Sequence, residues 1–466
     1  MKVMLLSLPG YGESDTGLFP LGIGYLVAVL KQSHEVKAYH YQKIREARKE
    51  IPEHIASFKP DLVGFTCNTF NRGFVRETIK LIRTINKNIK IAAGGVHPSF
   101  LYQQILRQYD ADVVIIGEGE YTLLELCDAA EKNNPLKNIK GIAYKENNEV
   151  ILNQPRQIVN NLDDLPMPDY SYGQSFMEQS KMGFIITSRG CPVRCTFCST
   201  SSYWGQKIRM NSASRVVDEM EMLISRFKVN KIFFHDDTFN LGSNRVKAIC
   251  EEIINRGIKA DWGCSCRVTN VSEDMIALMV EAGCRHICWG VESGSEEILK
   301  KIDKKISLSQ IKNAFEISKK FSDVMSTGSF TMVGNPGESN RTIQDTVNLL
   351  NIISMTDRPI PSILYVLPGT LLYENLKRDG YIRDEDWLKY DSVPVYTLEK
   401  SYWALRRWVK MVSNSGNIIS FDPRKHFWNG IFNADAKFGK FKKIIMQPRR
   451  YVSIIKRYLP AGHIHF

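Results

Sequence analysis

Cys191, Cys195 and Cys198 stand within eight residues, written CPVRCTFC, just past the apolar run 183–187. They read as a short loop at the end of that apolar run. The i, i+4, i+7 spacing suits three irons of a 4Fe–4S cluster, and no fourth cysteine nearby closes the last coordination position. An iron left open implies chemistry. Structural zinc is the alternative, but it is ordinarily built from paired CxxC or Cys/His spacings that complete a tetrahedron, and the sequence has none here.

The chain has 466 residues and is 43% hydrophobic, enough for two or three domains with their own cores. Residues 1–6 read directly as a buried strand with no signal peptide before it, and no run of about 18 apolar residues is long enough to span a bilayer. Ten cysteines without a secretion signal point to reduced thiols and a cytoplasmic setting. The other seven, Cys67, Cys127, Cys250, Cys264, Cys266, Cys284 and Cys288, mostly lie in apolar segments and read as core.

The fold class is α/β. Apolar runs at 3–6, 36–39, 62–66, 89–93 and 113–116 alternate with helix-periodic stretches, which predicts a doubly wound, flavodoxin-like parallel sheet over residues 1–135. Ligands of such sheets lie at the carboxyl ends of the strands, where this sequence has SLPGYG (7–12), FTCNTF (65–70), GGVHP (94–98) and GEGE (117–120). Residues 141–153 read as a hairpin and 160–170, NNLDDLPMPDY, as a polar, proline-broken linker, so that 136–180 separates two domains. Six further strand-helix units begin at 183–187, 231–235, 260–266, 286–292, 326–333 and 361–367. They predict a partial TIM barrel over 181–375 with its chemistry at the carboxyl ends of the strands. Those ends carry HDDTF (235–239), CSCR (264–267), WGVESGS (289–295), MVGNPGE (332–338) and VLPGT (366–370). His235 reads as a packing or hydrogen-bonding residue.

The cysteine loop, with Phe197 before its last cysteine and TSRG (187–190) ahead of it, resembles the cluster loop of the radical S-adenosylmethionine (SAM) superfamily. The succession of PLGIGYL (20–26), FTCNTF, GGVHP and GEGEYTLLEL resembles the cobalamin-binding domain that precedes many such barrels. The resemblance implies a 4Fe–4S cluster on Cys191, Cys195 and Cys198 whose open iron chelates SAM, with Phe197, Asp236 or Asp237, Arg267 and Glu292 around that ligand. It implies a cobalamin received by Leu21, Gly22, Thr66, Asn68, Gly94, Gly95, His97, Gly117, Glu118 and Glu120. The Asp-x-His-x-x-Gly motif that supplies a lower axial imidazole is absent, so cobalt is expected without a histidine ligand. The loop 66–70 would cover its lower face, and His97 would be a polar contact to the nucleotide tail. With no cysteine after Cys288, a C-terminal auxiliary cluster and the two-cysteine mechanism of RNA adenosine methylases are excluded.

The activity implied is transfer of a methyl group to an unactivated carbon through a deoxyadenosyl radical and methylcobalamin. A cyclase or rearrangement enzyme akin to the anaerobic tetrapyrrole cyclases, or a non-catalytic cobalamin-binding sensor or scaffold, is the alternative. A flavodoxin or ferredoxin would supply electrons. Residues 376–466 read as a basic, aromatic-rich, helical C-terminal extension, in which 401–466 hold 13 Lys and Arg against two Asp, a balance of +11 in a chain whose total is +12, interleaved with twelve aromatics. Residues 449–459 read as a basic amphipathic helix, which suits the surface of an anionic membrane and a lipid, isoprenoid or tetrapyrrole substrate. A helix packed on the barrel is the alternative, and no nucleic-acid partner is expected.

Overall fold

A computed structural model of the protein describes residues 1–10, 19–389, 393–420 and 427–428. The chain forms two compact units, the first comprising Met1–Gln174, Leu367–Gly369 and Tyr373–Val393, the second the remainder.

The first unit is built on seven strands, β1 (Lys2–Ser7), β2 (Glu35–His40), β3 (Leu62–Thr66), β4 (Lys90–Gly94), β5 (Val113–Ile115), β6 (Ile142–Glu146) and β7 (Glu149–Leu152). Their order is β2-β1-β3-β4-β5-β6-β7, with the first five parallel. This is the flavodoxin-like order, with its switch point between β1 and β3. Strand β1 is buried on both faces. Val3 and Leu5 pack under the helices Leu21–Leu30 and Glu120–Glu131, while Met4 and Leu6 face Ile51, Ile55, Phe74 and Ile79. Each such side chain contributes about 2 kcal/mol by leaving water. The expected hairpin forms, but it extends the sheet: β6 pairs antiparallel with β5, and β7 with β6.

The segment 160–170 also differs from its reading as a polar linker, because Leu162, Leu165 and Tyr170 are buried. Tyr170 and Tyr172 stack on Phe19, and Asp169 N–H donates to the Gly24 carbonyl, so the strap is core to the first unit. Tyr373–Val393 join this unit as well, so the stretch after 376 is not all C-terminal extension as expected. Arg76 donates to the Leu388 carbonyl, and Trp387 lies edge-on to His97.

The second unit opens with β8 (Met182–Ile185), the short pair β9 (Ser188–Arg189) and β10 (Arg209–Met210), and then β11 (Lys231–Phe234), β12 (Asp261–Cys266), β13 (Cys284–Glu292) and β14 (Ser326–Val333). It continues with β15 (Ser354–Met355), β16 (Ile360–Ile363) and β17 (Asn417–Ile418). Six of these form one parallel sheet in chain order, β8-β11-β12-β13-β14-β16, left open between its first and last strands. All six expected strand-helix units are present. The seven cysteines outside the triad are buried, as read.

The described part of the tail packs on this unit. Helix Tyr402–Ser413 buries Leu405, Trp408, Val409 and Val412 and leaves Trp403, Arg407 and Lys410 exposed. Phe427 stacks on His286 at 5.8 Å, its carbonyl accepts from Lys231 Nζ at 2.8 Å, and Trp428 Nε1 donates to His286 Nε2 at 3.3 Å. These two residues therefore fill space at the amino-terminal ends of the strands. The helix expected at 449–459 lies outside the described residues.

Candidate functional site

In the second unit the triad sits where the sequence places it, in the loop that follows β9. Gly190 starts that loop at φ +100, and a Cβ there would lie 2.3 Å from the Lys207 carbonyl oxygen, so glycine is required. The loop is pinned on several sides. Cys191 N–H donates to Gly205 O, Thr196 N–H to Ile302 O at 3.0 Å, and Leu372 N–H to Thr196 O at 2.9 Å. Cys191 and Cys195 are buried and Cys198 partly so. Burial pushes the Cys195 thiol up, while the charges of Lys304 and Arg267 pull it down; burial pushes Cys198 up against a hydrogen bond with Thr200.

Tetrahedral zinc with bonds of about 2.3 Å brings its sulfurs within about 4 Å of one another. Among the described residues, the group whose ligand atoms all lie within 4.8 Å of one another is His34, Asp128 and Glu131, in the first unit, and the cysteine triad is not such a group. Three thiols on a hydrogen-bonded loop that do not meet as a mononuclear site fit a cluster.

Around the loop the expected SAM residues divide. Asp236 is fully buried, and its oxygens accept from Thr187 N–H at 2.6 Å, Thr187 Oγ1 at 2.5 Å, Ser188 N–H at 3.2 Å and Ser188 Oγ at 2.8 Å, with Arg245 at 3.3 Å. A carboxylate has about four acceptor sites, and here they are taken. Asp236 is a clamp that ties the end of β11 to the entry of the cysteine loop, which leaves Asp237 as the carboxylate open to a ligand. Asp237 accepts from Thr200 Oγ1 at 2.9 Å and reaches solvent, yet the protein surrounding it, and Asp236, raise its carboxyl above the usual range. Arg267 is buried and donates to the Lys304 carbonyl at 2.5 Å and to Lys305 O at 3.4 Å. Its backbone N–H meets Asn240 Oδ1, so it braces a turn.

Glu292 ends β13 in the left-handed region at φ +63, after a register shift against β14 between Gly290 and Glu292, and pairs with Lys304 at 2.7 Å. Phe197 lies with its ring 6.0 Å from that ammonium. His235 packs against Phe184 and Phe233, as read. Sequence reasoning missed Arg245, Glu338 and Lys304. Glu338 accepts from Gly334 N–H at 2.6 Å and Asn335 N–H at 3.1 Å, and burial raises its carboxyl to about 7. Only the GNPGE pattern hinted at it.

In the first unit the strand-end loops converge as expected. Cys67 N–H donates to Gly94 O, and Asn71 Nδ2 spans Leu8 O and Thr66 O. Asn68 and Asn71 cap each other: Asn68 N–H donates to Asn71 Oδ1, and Asn71 N–H to Asn68 Oδ1. This turn exposes Asn68 and Phe70. Gly95, at φ +105, lets the loop after β3 come down on it, since a Cβ would lie 2.6 Å from Cys67 O. Leu21 is buried; Gly22 and Gly117 face open space, where a Cβ would meet nothing within 4 Å. Glu118 accepts from Val159 N–H, and Glu120 is buried at the start of its helix.

His97 is fully buried, with Nδ1 3.2 Å from Thr69 Oγ1 and Nε2 without a hydrogen-bond partner. Burial, aided by Arg72, lowers its pKa to about 3. The orphaned nitrogen leaves, just after β4, a buried polar atom for a polar ligand to satisfy. Residues 11–12 of the first loop lie outside the described residues.

Residues 185–350 match the family model of the radical SAM superfamily and residues 12–127 that of the B12 binding domain. An uncharacterized methyltransferase of Pyrococcus horikoshii is 34% identical over 82% of this chain and 83% of its own. An anaerobic magnesium-protoporphyrin IX monomethyl ester cyclase of Cereibacter sphaeroides is 26% identical over 71% of this chain and 56% of its own. Among solved structures, the radical SAM methyltransferase TsrM of Kitasatospora setae superposes with a TM-score of 0.71 at 20% identity, over 82% of this chain and 77% of that one, a likeness of fold.

Proposed function

This chain belongs to the radical SAM superfamily, in the branch that carries a B12-binding domain, and on that premise we propose that it transfers a methyl group from SAM, by way of a corrinoid, to an unactivated carbon of a small molecule. When bound, the cluster would cleave SAM to a carbon radical that activates the substrate, and the corrinoid would carry the methyl group. The observation that carries the reading is the presence, in one chain, of a pinned triad of thiols and of a glycine-floored strand-end face with an orphaned imidazole.

The protein's own groups do four things. Cys191, Cys195 and Cys198 would hold the cluster through three of its irons. Asp237 accepts from the SAM ammonium, Glu292 from the ribose hydroxyls, and the Phe197 segment lies along the nucleoside. Leu21, Gly22, Thr66, Asn68, Gly94, Gly95, Gly117, Glu118 and Glu120 present backbone and short polar groups to the corrinoid. The loop 66–70 and His97 Nε2 would lie against the corrinoid, the imidazole as a hydrogen-bonding partner of an amide. A flavodoxin or ferredoxin supplies the electron, and the basic tail brings a lipid, isoprenoid or tetrapyrrole substrate from an anionic membrane surface. Among the described residues no helix is long and apolar enough to cross a membrane.

The test is anaerobic incubation of cobalamin-loaded, cluster-reconstituted protein with methyl-labelled SAM, a reductant and cell extract. Label in an extracted small molecule, with deoxyadenosine and adenosylhomocysteine formed together, supports methyl transfer. Deoxyadenosine with no transferred label favours the second reading, a radical cyclase, for which the cyclase relative speaks.

A further inference from the structure

His34 lies between the helix Leu21–Leu30 and β2, at the end of the sheet where strands begin, and its side chain is 0% exposed. A polar ring so placed must have its two nitrogens satisfied. Nδ1 lies 3.4 Å from the Met1 amine, but Nε2 makes no hydrogen bond. What Nε2 meets is a carboxylate: Asp128 Oδ1 is 3.1 Å away, without the alignment of a hydrogen bond. Glu131 completes the corner, with Oε2 3.9 Å from Nδ1 and Oε1 accepting from the Met1 amine at 3.0 Å.

The two carboxylates stand where a helix does not favour them. Asp128 and Glu131 are three apart, hence on one face, in the last turn of the helix Glu120–Glu131, which has no basic residue there. That end of a helix carries the negative pole of its dipole, so acids there call for a cation. The Met1 amine answers Glu131, and the partner of Asp128 is a neutral-capable imidazole. One ligand atom from each of His34, Asp128 and Glu131 falls within 4.8 Å of the others. Both carboxylates are partly exposed, so small side-chain rotations bring them to metal-bonding distance, while the buried ring stays fixed.

We propose that His34, Asp128 and Glu131 form a site for one divalent transition-metal ion, zinc by preference, that clips the start of β2 to the end of the helix Glu120–Glu131. One imidazole nitrogen and two carboxylate oxygens suit zinc, with a water in the fourth position, and their two negative charges balance the ion. Binding forms one bond from Nε2 and one from each carboxylate, and any proton on Nε2 leaves to solvent. The site lies at the opposite end of the sheet from the loops 7–12 and 65–70, so its role is to brace the first unit and not to take part in the chemistry.

The experiment uses the full chain, with Met1 untagged, carrying alanine at positions 191, 195 and 198 so that the triad takes up no zinc. This parent is compared with Asp128→Asn/Glu131→Gln and with His34→Gln by equilibrium dialysis against zinc near neutral pH, metal analysis and thermal unfolding. The parent should bind about one zinc per chain and unfold at a higher temperature with zinc than without. Both variants should bind zinc at least about a hundredfold more weakly and lose the zinc-dependent shift. If His34→Gln does not fold, the double variant decides, since it changes only partly exposed side chains. Zinc binding or a zinc-dependent shift equal in parent and double variant overturns the proposal, as does a parent that binds no zinc. With the triad replaced, none of these outcomes bears on the radical SAM reading.

Discussion

The two strand-end faces of this protein are built from opposite materials. In the first unit the face is backbone, glycine and short amides: Gly22 and Gly117 open to solvent, Gly95 pressed on Cys67, and Asn68 and Asn71 capping one another. In the second it is charge under constraint: Asp236 clamped by four donors and Arg245, Glu338 buried on two backbone amides, and Lys304 held against a strained Glu292. A broad neutral corrinoid is gripped by shape and amide hydrogen bonding, whereas SAM and a cluster carry charge and call for fixed ions and dipoles. The same α/β logic thus supplies two sites whose failure modes differ.

The largest effect should come from breaking the charged face. Asp236→Asn removes the charge that Arg245 and the two hydroxyls were arranged around, and breaking such a buried pair costs about 3–5 kcal/mol. Asp237→Asn should leave stability unchanged and weaken SAM binding. Unfolding in urea and SAM titration separate the two, and equal effects of the two variants would remove the distinction between clamp and ligand.

A second expected outcome is that the faces respond to pH in opposite directions. Glu338 has its folded pKa raised from 4.5 to about 7, so between those values the folded state binds more protons than the unfolded one. Its contribution is full below about pH 4.5 and is lost as pH rises toward 7, about 3 kcal/mol in all. His97 and His40 are lowered to about 3 and about 4, chiefly by burial, so the unfolded state binds more protons below pH 6.5. Their contribution is present above pH 6.5 and lost as pH falls. Hydrogen exchange from pH 5 to 7.5, corrected for intrinsic rates, should show β13 and β14 losing protection while β3 and β4 gain it. Glu338→Gln should flatten the first trend alone.

The smallest effect tests the neutral face. Gly95→Ala forces a Cβ to within 2.6 Å of Cys67 O at φ +105, for about 2 kcal/mol of local destabilisation and loss of corrinoid affinity. SAM-dependent spectral changes of the cluster should survive. If the substitution leaves cobalamin binding intact, shape is not what grips the corrinoid.

Much of this contrast was legible in the sequence because it rests on local signals. Strand and helix periods gave both sheets, and the cysteine spacing gave the cluster loop. The glycine pairs gave the loops that converge in the first unit. What stayed hidden depends on contacts distant in sequence. Asp236 and Asp237 are adjacent acids, and only the fold shows that Thr187, Ser188 and Arg245 consume the first. Lys304 sits in a run of cations, and its burial follows from Gly290 and Arg267, fourteen and thirty-seven residues away. The strap 160–170 carries prolines and acids, yet three apolar side chains spaced along it were enough to dock it.

The central claim is that one chain holds both groups, a cluster on Cys191, Cys195 and Cys198 and a corrinoid on the first unit. Metal analysis of anaerobically loaded wild type and of the triple alanine variant tests it most directly. The account predicts about four irons and one cobalt per wild-type chain, and cobalt without iron in the variant. Iron retained by the variant, or wild type that takes up no cobalt, would contradict it.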